Sequence, residues 1–141
     1  MKKLISLVLL VSLLCGCLSS LAYAAPEFAP YNSAYFISYG TTLSKEGSGK
    51  IKITFQANAT GVASSVGVAT YEVQKLDSEG KWQSCTGLLD GETGSDVGSY
   101  TYSDLFYGIP GETYHVVVTF ICTMNGGSQT RAYTSGRITA K

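Results

Sequence analysis

Apolar and polar residues alternate with a period of two along most of the chain after residue 32, the pattern of a strand with one buried face. Lys50–Thr60 shows it most clearly: Ile51, Ile53, Phe55 and Ala57 fall on one side, Lys52, Thr54 and Gln56 on the other. Thr113–Thr123 aligns Tyr114, Val116, Val118, Phe120 and Cys122, and leaves His115 on the opposite face. Gly67–Leu76 puts Tyr71 and Val73 together, and Ser99–Tyr107 does the same for Tyr100 and Tyr102. Ser33–Leu43, the short Trp82–Cys85 and Thr130–Ala140 complete seven predicted strands. Glycine-rich or polar stretches separate them: SKEGSGK, TGVASSVG, DSEGK, LDGETGSDVG, GIPGE and NGGSQ. No window holds apolar residues at helical spacing for three turns. Seven short strands in about a hundred residues predict an all-β fold, a seven-stranded antiparallel β-sandwich.

The first 24 residues follow a different rule. Lys2 and Lys3 precede an apolar run, Leu4–Leu14, and Ala22-Tyr23-Ala24 supplies a small-x-small cleavage pattern. This reads as a secretory signal peptide (1–24), cut between Ala24 and Ala25. The run is too short for a membrane span of roughly 20 residues. A competing reading is lipidation at Cys17 within Leu14-Cys15-Gly16-Cys17, which would anchor the protein to the outer face of the cell membrane. The apolar LSSLAYAAPEF that follows favours ordinary cleavage. Residues 25–32, with Pro26 and Pro30, read as a lead-in, since proline cannot donate to a central ladder. Residues 33–141 read as a single domain. The mature chain is therefore expected to be secreted, with no membrane span.

Composition removes several functions. The full chain has 10 Lys+Arg and 10 Asp+Glu; without Lys2 and Lys3 it has 8 against 10, a net charge of −2 with histidine neutral. No basic surplus points to nucleic acid or to an anionic membrane. Export leaves Cys85 and Cys122, which in an oxidising compartment read as one disulfide. Two separate buried thiols are the other reading, because a bridge asks the chain after Trp82 to fold over the end of the neighbouring strand.

Candidate chemistry is sparse. One histidine, His115, sits on a predicted outer face, where a lone strand histidine is an ordinary solvated or half-buried side chain. There is no G-x-S-x-G turn and no Cys/His cluster with zinc spacing. The loop 89–96 carries Asp90, Glu92 and Asp96, carboxylates of the kind calcium uses, at a spacing that matches no calcium loop. Asp104 and Glu112 are a pair of carboxylates that glycoside hydrolysis could use. Trp82, Tyr39 and Tyr133, with Tyr31 and Tyr35, have no predicted place inside and are candidates for a binding surface. The expectation is a protein with no catalytic residues, no cofactor and no metal.

The stretch GIPGETYHVVV carries a resemblance. Pro110-Gly111 followed by Tyr114, Val116 and Val118 resembles the L-x-P-G-T-x-Y-x-V-x-V segment of fibronectin type III domains, relatives of the immunoglobulin-like sandwiches. SYTYSDL resembles their strand E, with Tyr100, Tyr102 and Leu105 inward. TYEVQKLDSEGKW resembles the C–C′ hairpin, and GKIKITFQA strand B, with Phe55 filling the place of that family's tryptophan. The resemblance covers roughly residues 33–140. It implies that the Tyr114 ring enters the core while its hydroxyl bonds back to the backbone just upstream, a tyrosine corner. It also implies an extracellular interaction module whose partner is a protein or a glycan. A small glycan-binding domain using exposed aromatics is the alternative.

Overall fold

The computed structural model describes residues 33–141, so the signal peptide, Ala24-Ala25, Cys17, Tyr31 and the lead-in lie outside the described residues. The strands are β1 (Phe36–Gly47), β2 (Lys50–Ala63), β3 (Ser65–Leu76), β4 (Trp82–Ser84), β5 (Leu89–Asp90), β6 (Thr93–Gly94), β7 (Val97–Tyr107), β8 (Thr113–Met124), β9 (Gly127–Thr134) and β10 (Ile138–Thr139). They form two antiparallel sheets. The smaller runs β1-β2-β7. The larger has β3 and β8 at its centre, with β4, β5 and β6 in turn along the free edge of β3, and β9 and β10 along the free edge of β8. The fold is all-β, as the alternation predicts. Of the three two-residue pieces, β10 falls within the predicted last strand, whereas β5 and β6 lie in the stretch LDGETGSDVG that reads as a turn in the sequence. Among the described residues no helix is long and apolar enough to cross a membrane.

The core lies between the sheets. Ile51, Ile53, Phe55 and Ala57 of β2 meet Val66, Val68, Tyr71 and Val73 of β3 and Tyr114, Val116, Val118, Phe120 and Cys122 of β8, all buried. Aromatic rings fill the middle: Phe55 stacks on Tyr102 at 4.8 Å between centroids and tilts against Tyr71 at 4.9 Å. Glu92 extends this group, its carboxylate accepting from the Tyr100 hydroxyl at 3.2 Å. Burial comes first among the causes that push the Tyr102 hydroxyl up to about 12.

Four details differ from the alternation. The predicted turn TGVASSVG is mostly strand: β2 continues to Ala63 and only Ser64 separates it from β3. In β1 a bulge between Phe36 and Ser38 shifts the pairing, so Phe36 opposes Ala59 while Tyr39 opposes Ala57. Both rings therefore point inward, and Ile37 is left outside. In β7 the inward set is Tyr100, Tyr102, Asp104 and Phe106; Leu105 opposes Lys52 and is exposed, against the expectation that it faces in. The predicted last strand is split at Ser135–Arg137. The Ser135 side chain accepts the Val116 N–H at 2.9 Å, and the Ser135 N–H donates to the Val116 carbonyl at 2.9 Å.

Candidate functional site

Two clusters stand out once the strands are in register. The first is the corner between β7 and β8. The Tyr114 ring is buried, edge-on to Phe106 at 5.1 Å, and its hydroxyl accepts the Ile109 N–H at 2.8 Å. Pro110 and Gly111 make the turn between them, Gly111 at a φ of 88° that suits glycine. Gly111 N–H also donates to the Ala140 carbonyl at 3.0 Å, tying the corner to the end of the chain. This cluster is architectural.

The second cluster lies on the outer face of the larger sheet. Trp82 begins β4 opposite Leu76, and on the neighbouring pair of strands Gln74 opposes His115. The indole lies across the face and stacks on the His115 imidazole, ring centroids 3.5 Å apart and 12° from parallel. The Arg137 guanidinium carbon stands 5.3 Å from the centroid of the same indole. Beside the stack, Gln74 places its carbonyl oxygen 2.8 Å from His115 Nε2 and its amide nitrogen 2.8 Å from the Glu72 carboxylate. That orientation requires the proton on Nε2 of the neutral imidazole. The Ser84 hydroxyl donates to the other Glu72 oxygen. His115 is thus on the outer face, as its position in β8 predicts, yet only 8% exposed, because Trp82 covers it. Burial first, and the nearby Arg137 charge second, hold its pKa below the ordinary value of 6.5.

Of the predicted binding aromatics, only Trp82 belongs to this face. Tyr39 is a core residue, packed on Phe36 at 5.2 Å and on Phe120 at 5.3 Å. Tyr133 opposes the inward Val118 and stands edge-on to Tyr39 at 6.3 Å. Tyr39 is enclosed, and Tyr133, half-buried, packs on the core side of β9 rather than on the Trp82 face. Arg137 and Gln74 went unpredicted. The signal for Gln74 was its even spacing from Glu72 on the polar side of β3. Arg137 carried no such signal, because the Ser135–Gly136 break interrupts the alternation that would have put it beside His115.

The acidic candidates do not assemble. Among the described residues no three of His, Cys, Asp and Glu gather as a metal would require, so Asp90, Glu92 and Asp96 form no cation site there. Asp104 receives a hydrogen bond from the Tyr71 hydroxyl, and Glu112 pairs with Lys75 at 3.8 Å.

The expected Cys85–Cys122 disulfide does not form; both thiols are free. The register gives the reason. Cys122 opposes Val66, whereas Cys85 bonds through its N–H to the carbonyl of Val73. Seven residues along β3 separate the two levels, about 23 Å at the rise of a strand. β4 is three residues long and carries the chain only a short way along that edge. Burial pushes both thiols up, and Cys122 is completely enclosed. The unreduced protein should give two thiols on titration after denaturation. In the native state only Cys85 should react. Absence of free thiol in the denatured sample would restore the bridge.

Compared with known proteins, the chain matches no protein-family model, no curated protein and no solved structure.

Proposed function

We propose that this is a secreted, non-catalytic interaction module of fibronectin type III-like, immunoglobulin-like build, and that it meets its partner through the outer face of the larger sheet at Trp82 and Arg137. The observation that carries the reading is the Trp82–His115–Arg137 stack. Tryptophan and arginine are enriched in the energetic centres of interfaces, because each offers a large, rigid contact with a polar edge. Here the indole is held on the solvent side of a sheet by the imidazole stacked against it, and the guanidinium stands over the same indole. The order β1-β2-β7 against β9-β8-β3-β4, with a tyrosine at the corner, supports the type III-like build. Fold alone does not name a function, so the weight rests on the stack.

Capture of partners from culture supernatant and cell wall by the immobilised protein tests the reading. Trp82→Ala and Arg137→Glu should each weaken capture at least about tenfold, roughly 1.4 kcal/mol. Leu105→Ser, on the outer face of the other sheet, should leave it unchanged. Capture indifferent to Trp82 and Arg137 would reject the surface. The glycan-binding alternative is favoured by the part-exposed indole edge beside a guanidinium. Saturable binding on a panel of cell-wall and host glycans, lost in Trp82→Ala, would select it. The mass of the supernatant protein belongs to the same experiment: a chain starting at Ala25 without lipid supports secretion, and a diacylated chain starting at Cys17 moves the protein to the membrane surface.

A further inference from the structure

The chain has one tryptophan and one histidine, and the two are stacked face to face. A cation, Arg137, is already placed over the same indole. We propose that this stack is an acid-responsive latch: protonation of His115 sets a second cation against the one indole, and Arg137 is displaced from the ring into solvent.

The geometry decides where the proton goes and which group yields. Nε2 already carries a hydrogen, donated to the Gln74 carbonyl, so a proton from solvent adds at Nδ1. The imidazole is fixed by β8, by Gln74 and by the indole above it, and it cannot leave. Arg137 is exposed and forms no ion pair among the described residues. An aromatic face attracts one cation well, and two cations sharing it repel each other. The exposed one therefore moves.

The charged groups around the imidazole are few. Arg137, from the link before β10, acts on it directly. Glu72, on the same face of β3, is occupied by Ser84 and Gln74 and reaches the imidazole only through the Gln74 amide. Lys75, opposite the inward Tyr114, is paired with Glu112, and Lys81, beside Trp82, is paired with Glu79 at 2.9 Å. β4 contributes Trp82, Gln83 and Ser84, none charged. Among the described residues no carboxylate stands directly against the ring to favour its charged form. The folded-state pKa lies below the unfolded value of 6.5, so the neutral imidazole contributes stability above that value. That contribution is lost as pH falls through the folded pKa. The latch adds a regulation to the face assigned above as the binding surface, and only its effect on binding rests on that assignment.

Because there is one reporter of each kind, the test needs no label. Tryptophan emission and the ring-proton resonances of the single histidine are followed from pH 8 to pH 4.5. Both should change together, with a midpoint below 6.5. Arg137→Gln should move that midpoint upward, toward 6.5, by removing the repelling charge. His115→Gln should abolish the emission change, and a melt at pH 8 verifies that this variant is folded; the histidine resonances of the wild type give the midpoint without any variant. An emission change that survives in His115→Gln overturns the latch, as does a midpoint that ignores Arg137→Gln. If the titration holds and partner capture is indifferent to Trp82 and Arg137, the latch stands and the binding surface falls.

Discussion

Tyr114→Ala should destabilise the protein by about 3–5 kcal/mol, and Tyr114→Phe by about 1–3 kcal/mol. The two figures separate the ring from the hydroxyl. The ring is 2% exposed and packs against Phe106, so deleting it leaves a cavity at the end of the core. The hydroxyl alone accepts the Ile109 N–H. Ile109 itself is exposed, so in Tyr114→Phe its N–H can recruit water, which places the loss toward the lower figure. More than one link depends on the corner. A Cβ on Gly108 would stand 2.8 Å from the Tyr114 ring, so the chain passes too close for any other residue there. Gly108 N–H in turn donates to the Gly49 carbonyl at 2.9 Å, and Gly49 N–H to the carbonyl of Lys141. The tyrosine therefore fixes the point where the β1–β2 turn, the β7–β8 corner and the end of the chain meet. Urea melts of the three proteins measure it. A Tyr114→Phe midpoint equal to wild type would show that the hydroxyl bond contributes nothing.

What the sequence disclosed follows from where alternation is unbroken. β2 and β8 keep one parity through their core segments, and so does β3 from Thr70 onward, past a register shift after the inward Val66 and Val68, so Tyr71 and Val73 could be read directly. β1 does not: the bulge at Ile37 reverses the parity, which is why Tyr39 read as a surface residue and is buried. β7 keeps parity, yet the resemblance to strand E drew Leu105 inward where spacing from Tyr100 and Tyr102 selects Phe106. The disulfide rested on the order of strands in the sheet, which was right, and on the reach of β4, which was not. The outer-face stack lay beyond local reading. It joins β4, β3, β8 and the link before β10, and only tertiary register brings Trp82, Gln74, His115 and Arg137 together.

Phe120→Ala should cost about 3–5 kcal/mol, as much as the loss of the Tyr114 ring, and should leave the outer face intact. Phe120 is fully enclosed on β8. Its ring meets Tyr39 from the smaller sheet at 5.3 Å and Tyr133 from β9 at 6.2 Å, and those two rings meet each other at 6.3 Å. Three rings therefore close the space between the sheets on the side of β1 and β9. Removing the central one leaves a cavity that Tyr39 and Tyr133 cannot both enter, because each is fixed by its own strand. Phe120→Leu keeps most of the volume and should cost less than about 1.5 kcal/mol. Side chains of β8 alternate between the faces, so Phe120 and His115 lie on opposite sides of the same strand. Tryptophan emission at pH 8 should therefore be unchanged in Phe120→Ala while its urea midpoint falls. A shift in emission together with the loss of stability would mean that core and outer face are coupled through β8, and that the stack is not an independent unit.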